Sequence, residues 1–331
     1  MDFLWIDFLG TATWMWLSFL ALVFLLLALD LGVLHKKSAE IGMRESFVLS
    51  AFYIALGTAF GGWVWFQSGP QAGLEYLTGF VVEKSLAMDN IFVIAMIFSY
   101  FAIPRAYQHR VLLYGILGVI VMRGIMIAAG AAIVENYHWV LYIFAGFLVI
   151  TGIKMLLMAD QEYDVSGNPL LKLLRRHLPV TDGLREDRFV VRETDEKTGK
   201  LRTYITPLLL ALVMVELADL IFAVDSIPAV FAITTDPFIV YTSNIFAILG
   251  LRALYFALSA LIHRFVYLKY ALSVVLIFIG SKIFVADMLG LAKIPPLLSL
   301  SVTVGILAAG ILGSLWATRN IDRGDAKAPG E

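Results

Sequence analysis

The chain contains no cysteine among its 331 residues. That absence excludes disulfides, thiol redox chemistry, thiolate metal ligands and S-palmitoylation. Charge is scarce too: Asp, Glu, Lys and Arg make up 15% of the residues, against roughly 25% in a soluble domain. No basic excess exists, because 25 Lys and Arg face 26 Asp and Glu, so there is no electropositive footprint for nucleic acid. The first residues, MDFLWIDFLG, carry Asp2 and Asp7 in place of the basic region of a secretory signal, and no small-residue cleavage site follows. The first apolar run therefore reads as a transmembrane segment.

What remains is apolar. Hydrophobic residues are 60% of the chain, about 199 positions, and nine membrane helices of about 20 residues would need about 180. Apolar stretches between polar breaks predict an all-α polytopic membrane protein with about nine spans, near 12–34, 44–66, 73–101, 109–134, 137–159, 204–234, 241–262, 266–288 and 296–318. Gly69-Pro70, Pro104, Asp236-Pro237 and Pro295-Pro296 punctuate them. The third and sixth spans carry several charges, which can hide them from a hydropathy window. Lys36, Lys37, Arg44, Arg105, Arg110, Arg264, Lys269, Arg319, Arg323 and Lys327 fall on alternate connections, whereas the other connections hold only Lys293. By the positive-inside rule the N-terminus is outside and the C-terminus cytoplasmic.

Residues 160–203 form a polar insertion with nine basic and nine acidic residues. LLKLLRRHL (170–178) reads as a short helix lying at the membrane surface, and FVVRE–TDEKTGK–LRTYIT as a β-hairpin. A structural or regulatory cap fits this insertion better than a catalytic domain.

Three pairs of segments resemble one another in order: MDNIFVIAMIF (88–98) and VDSIPAVFAIT (224–234), YGILGVIVMRGIMI (114–127) and SNIFAILGLRALYF (243–256), YIFAGFLVITGIKMLL (142–157) and YALSVVLIFIGSKIFV (270–285). They pair Arg123 with Arg252, Gly152 with Gly280 and Lys154 with Lys282. The chain thus divides into a two-helix segment (1–72), a three-helix repeat (73–159), the insertion (160–203), a second repeat (204–288) and a ninth helix with a tail (289–331). A repeat of three spans re-enters from the opposite side, the inverted arrangement of many secondary transporters.

Charges inside spans are costly and usually mark ion or proton paths. The third span holds Glu83, Lys84, Asp89 and Asn90; the sixth holds Glu216, Asp219, Asp225 and Ser226; Arg123 and Arg252 lie near the middles of the fourth and seventh. Helical spacing puts Glu83 with Asn90, Glu216 with Asp219, and Asp219 with Ser226 on shared faces. Asp89 and Asp225 lie off those faces unless a helix breaks nearby, and Pro228 could break the sixth span and free the carbonyl of Val224 as a ligand. Five acids against three bases leave a local charge of −2, which a divalent cation neutralises and an oxyanion worsens. Carboxylate, carbonyl and amide oxygens suit Mg, Ca or Mn, and Met88 and Met214 could add thioethers or merely pack. Crowded acids without metal hold protons, making proton-for-metal exchange the natural coupling. Arg123, Arg252 and Lys84 fit either charge pairing or gating, Lys154 and Lys282 fit snorkelling, and Asp30 fits capping or a pathway.

EKSLAMDNIF, VELADLIFAVDSIPAVFAITTDPFIV and TSNIFAILGLRALYF resemble the signature stretches of the TerC/Alx family of integral membrane proteins, related to the lysine-exporter superfamily. The resemblance spans nearly the whole chain. It implies a multi-pass bacterial inner-membrane protein associated with manganese export and, by historical naming, tellurite resistance. Its acidic motifs map onto Glu83, Asp89, Asn90, Glu216, Asp219, Asp225 and Ser226, with Asn244 in TSNIF. Some members have been proposed as redox modulators, yet this chain has no Cys, and His35, His109, His138, His177 and His263 lie in loops or at span ends, which argues against a buried haem.

The reading is therefore a non-enzymatic secondary transporter, in the lipid bilayer, that exports Mn²⁺ in exchange for protons and holds no permanent cofactor. The alternatives are a membrane scaffold or stress-response partner without transport, and an exporter of a cationic amino acid. An intramembrane aspartyl protease is disfavoured, because the GxGD motif of that class is missing.

Overall fold

The computed structural model describes residues 5–29, 42–157, 169–194, 200–259, 265, 267–290 and 294–318. Asp30, His35, Lys36, Lys37, His263, Arg264, Lys293, Arg319, Arg323 and Lys327 lie outside the described residues. A two-residue hairpin, β1 (Asp7–Phe8) with β2 (Thr11–Ala12), opens the described chain. Leu9 and Gly10 turn it with φ of 54° and 78°, the left-handed pair that matches hairpin twist.

The helices follow as α1 (Thr13–Leu29), α2 (Met43–Ser68), α3 (Pro70–Tyr100), α4 (Arg105–Asn136), α5 (Val140–Leu157), α6 (Pro169–His177), α7 (Pro207–Phe231), α8 (Pro237–Leu249), α9 (Leu251–Leu258), α10 (Leu268–Met288) and α11 (Pro296–Thr318). Pro70, Pro169, Pro207, Pro237 and Pro296 each open a helix. There the missing N–H is one the first turn leaves unpaired anyway, and the fixed φ suits helical entry. Asp236 adds a side-chain cap to α8, accepting from the Phe238 N–H at 2.8 Å and the Ile239 N–H at 3.3 Å.

Each expected apolar segment coincides with a helix or, for 241–262, with the pair α8 and α9. Among the described residues seven spans are long and apolar enough to cross a membrane; α1 is a shorter apolar helix. The charge-bearing α3 falls outside that set, while the equally suspect α7 is within it. Phe24, Phe66, Val121, Ile125, Ile150, Leu157, Leu312 and Trp316 are exposed on outer faces. Apolar surface of that extent needs lipid for its solvent. The chain is an all-α polytopic membrane protein.

Helix α3 is central and packs on α2, α7, α8, α9 and α11. Helices α5 and α10 form a close pair, and the two glycines matched in the sequence make it possible. A Cβ on Gly152 would meet Ser273 O at 2.9 Å, and one on Gly280 would meet Ala145 O at 2.6 Å, so each glycine faces the other helix's backbone. At one end an aromatic cluster of Phe19, Phe60, Tyr76, Phe238 and Phe246 joins α1, α2, α3 and α8.

The insertion folds as α6 followed by an antiparallel hairpin, β3 (Val190–Thr194) with β4 (Leu201–Ile205), in the register Val190↔Ile205 to Thr194↔Leu201. The amphipathic helix does not simply lie on a membrane surface: Leu171 is buried and Leu174 half-buried in the protein's own core, beside Ile97, Leu208 and Val180. Arg110 of α4 pairs with Asp187 and lies over the rings of Tyr114 and Phe189. Thr206 at the head of α7 donates to Arg188 O at 2.7 Å. The hairpin is thereby fastened to the starts of both α4 and α7.

One expectation fails. Helix α7 runs through Pro228 to Phe231 without a break; packing by neighbouring helices lets a membrane helix absorb a proline. The break falls instead at Gly250, between α8 and α9.

Candidate functional site

The site is built around Arg123 of α4, whose side chain is 1% exposed. Its guanidinium donates to Asp219 Oδ2 from Nε at 3.1 Å and to Asp219 Oδ1 from Nη2 at 3.0 Å. Nη1 pairs with Glu83 of α3 and donates to Ser226 Oγ at 3.2 Å and Asn244 Oδ1 at 2.8 Å. Asn90 Nδ2 donates to Asp219 Oδ1 at 3.2 Å. Four helices thus converge on one buried ion-pair network: α3 supplies Glu83 and Asn90, α4 Arg123, α7 Asp219 and Ser226, and α8 Asn244. The seven-residue spacings of Glu83 with Asn90 and of Asp219 with Ser226 turn both pairs inward together.

The network leaves polar atoms unpaired. Glu83 Oε2, Asn90 Oδ1 and Asn244 Nδ2 are buried without hydrogen-bond partners. Arg123 and Glu83 are uncharged as a pair, so Asp219 gives the trio a net −1. Two unpaired acceptor oxygens beside a residual negative charge form an environment that a cation would satisfy.

Glu83 and Asn90 both line a cavity of about 50 Å³, with Thr151, Met155, Asp225 and Ser226 on its walls. Thr151 of α5 donates to Asp225 Oδ1 at 3.2 Å. On the far side of Asn90 lies a cavity of about 30 Å³ bordered by Asp219, Gly115, Leu251 and Arg252. At the end opposite the hairpin a larger cavity, about 250 Å³, is lined by Glu75, Thr78, His138, Lys282, Asp287 and Ser299. Close packing separates it from the network: a Cβ on Gly79 would meet Ser243 Oγ at 3.0 Å and Val230 Cγ1 at 3.3 Å.

Of the residues singled out in the sequence, Glu83, Asn90, Asp219, Ser226, Asn244 and Arg123 meet directly. Asp225 shares their cavity. Glu216 stands apart, half-buried against the α4 backbone, where a Cβ on Gly118 would collide with its carboxylate. The side chain of Asp89 lies outside what the structure describes. Lys84 does not join the acids; its Nζ donates to Ala247 O of α8 at 2.9 Å. Arg252, the sequence counterpart of Arg123, lies instead within 3.3 Å of His109 Nε2. Met88 and Met214 pack in apolar core. Thr151 and Met155 are the neighbours that the sequence did not single out, and His109, named there only as a histidine in a loop or at a span end, lies against Arg252. Among the described residues no three His, Asp or Glu side chains converge closely enough to hold a metal ion.

The profile of the integral membrane protein TerC family matches residues 68–322. An uncharacterized membrane protein of Myxococcus xanthus is 47% identical over 315 residues, covering 95% of this chain and 96% of the relative. A second uncharacterized membrane protein, from Rickettsia bellii, is 44% identical over 308 residues, covering 93% and 99%. A protein of Escherichia coli named "Putative membrane-bound redox modulator Alx" is 45% identical over 319 residues, covering 93% and 96%. No solved structure matches the chain.

Proposed function

The chain belongs to the TerC family of integral membrane proteins, and we propose that it is a secondary transporter that exports a divalent cation, Mn²⁺ above others, in exchange for protons. The observation that carries this reading is the pair of unpaired buried oxygens, Glu83 Oε2 and Asn90 Oδ1, on a cavity shared with Asp225. Oxygen donors of this kind suit hard divalent ions, and the thioether of Met155 on the same wall adds a softer contact. No thiol is present to carry a cysteine-based redox role.

In this reading Arg123 holds Glu83 and Asp219 when the substrate is away, standing in for its positive charge. Arg105, Arg110, Lys172, Arg176 and Arg188 gather at the hairpin end, which the positive-inside rule makes cytoplasmic, in a bacterial inner membrane. A cation enters there past Glu216 and the cavity beside Arg252. It then takes oxygens from Glu83, Asn90, Asp225 and, once Arg123 yields, Asp219. Ser226 and Asn244 serve as neutral ligands, and Asp89 as a further ligand or proton carrier. Release leads to the larger cavity lined by Glu75, His138 and Asp287. Carboxylates that give up the metal take protons for the return, because a ligand must be deprotonated to bind. The two three-span repeats, rocking against each other, supply alternating access.

Mn²⁺ uptake into everted membrane vesicles tests this. Asp225→Asn and Asp89→Asn abolish uptake while the protein stays inserted; uptake that persists in both sinks the assignment. Inhibition of uptake by lysine would favour export of a cationic amino acid, and no uptake by inserted wild type would favour a scaffold.

A further inference from the structure

One buried cation is not used by the network above. Lys84 follows Glu83 on α3, yet its side chain turns away from the acids and is only 9% exposed. A buried ammonium ordinarily demands a carboxylate. Among the described residues Lys84 has none, and its single hydrogen bond runs to Ala247 O of α8, at 2.9 Å.

The place it occupies is a discontinuity. Helix α8 ends at Leu249, Gly250 breaks the ladder with its N–H turned back to Ile248 O, and α9 begins at Leu251. The last carbonyls of a helix have no intrahelical donors, and they form the negative end of its dipole. In an apolar interior water cannot satisfy them, so an ammonium seated there answers both the orphan carbonyl and the dipole. Gly250 makes the seat: a Cβ at that position would lie 2.6 Å from Lys84 Nζ and 2.9 Å from Tyr53 Cβ. Both neighbours of the break bear on the site. Asn244, bonded to Arg123, is on α8; Arg252, on the cavity beside Asp219, is two residues past Gly250 on α9.

The geometry points to Lys84 as a tethered cation that bolts the α8–α9 break to α3, a positioning residue that must leave the Ala247 carbonyl before α9 can swing relative to α8. Glu83 and Lys84 being adjacent, whatever displaces the Glu83 carboxylate from Arg123 also displaces the root of the bolt. The link to a working cycle rests on the transport reading, but the bolt itself does not.

Because the chain has no cysteine, single-cysteine reporters need no background removal. Ala253→Cys reports on α9, and Ala131→Cys, buried on α4, serves as the control. Each is placed in wild type and in Lys84→Met, which keeps the stem and removes the charge, and the detergent-solubilised protein is labelled with N-ethylmaleimide. Labelling at 253 that is at least tenfold faster in Lys84→Met, with labelling at 131 unchanged, supports the bolt. An unchanged rate at 253 overturns it; equal acceleration at both sites also overturns it, since the lysine would then be mere structural glue. In proteoliposomes that take up Mn²⁺, Lys84→Met changes the maximal rate tenfold and KM less than threefold. A change confined to KM would contradict the assignment. Wild-type liposomes without uptake would count against the transport reading alone, the labelling result standing separately.

Discussion

Arg123→Met removes the one charge that holds the site together while keeping a side chain long enough to occupy its space. Five hydrogen bonds are lost, to Glu83, Ser226, Asn244 and twice to Asp219. The larger effect is electrostatic: Glu83 and Asp219 remain, buried and without a counter-charge. Removing one partner of a buried pair costs about 3–5 kcal/mol, well above the ~1 kcal/mol of a typical substitution. Thermal unfolding of the detergent-solubilised protein should register that loss. Glu83→Gln in the same chain removes one of the stranded acids, so the double variant should recover about 0.5–3 kcal/mol relative to additivity. Arg123→Lys keeps the charge and loses the planar fork that meets both Asp219 oxygens, placing it between wild type and Arg123→Met. With the acids as a cation site, Mn²⁺ should also stabilise Arg123→Met more than it stabilises wild type; at a hundredfold excess over the variant's Kd its stabilisation of the variant is about 2.7 kcal/mol. A fully stable Arg123→Met, or strict additivity with Glu83→Gln, would refute the reasoning.

Three further outcomes follow from local geometry. Gly280→Leu drives side-chain atoms into the Ala145 carbonyl, 2.6 Å from the built Cβ, and should lower stability by at least the 1–3 kcal/mol of an overpacked core, measured by thermal unfolding. Gly118→Ala displaces the Glu216 carboxylate; a flexible, half-buried side chain can move, so the variant should stay folded while its KM for Mn²⁺ rises in vesicle uptake. Asp236→Ala removes the α8 cap and should cost about 1 kcal/mol, whereas Asp236→Asn keeps the acceptor. Burial pushes the Asp236 carboxyl above its ordinary 3.8, against the lowering pull of the Ile239 and Phe238 N–H groups and with a further push from Glu75. Its folded state therefore binds protons more tightly than its unfolded one. Wild-type stability relative to Asp236→Asn should fall as pH rises from below 3.8 through the raised value, in an unfolding series across pH.

The helical scaffold was legible because its punctuation is local. Proline at the first helical position and a capping Asp act within one turn, so Gly69-Pro70, Asp236-Pro237 and Pro295-Pro296 mark true starts. The inward pairs Glu83/Asn90 and Asp219/Ser226 were legible for a similar reason, since seven residues make nearly two turns. That they close on Arg123 was not: an arginine in a span reads equally as a gate or as a partner until its neighbours are seen. Pro228 misled because a missing N–H does not break a helix held by its neighbours. The real break at Gly250 is met by Lys84 from a distant helix, a contact no local pattern shows, and glycine is common in membrane helices. Thr151 gave no signal, because a lone threonine in a span usually bonds its own backbone, as Thr58 and Thr78 do. Leu171 shows the same limit in the insertion: amphipathic spacing identifies an apolar face but not whether lipid or protein covers it.

Electron paramagnetic resonance of Mn²⁺ mixed with the purified protein addresses the central claim most directly, because the sharp signal of the hydrated ion disappears when protein oxygens replace water. The account predicts saturable loss of that signal, with release of protons, at no more than one strong site per chain, and its abolition in Glu83→Gln. A free-ion signal that the wild-type protein leaves untouched, or one that Glu83→Gln removes equally well, would contradict it.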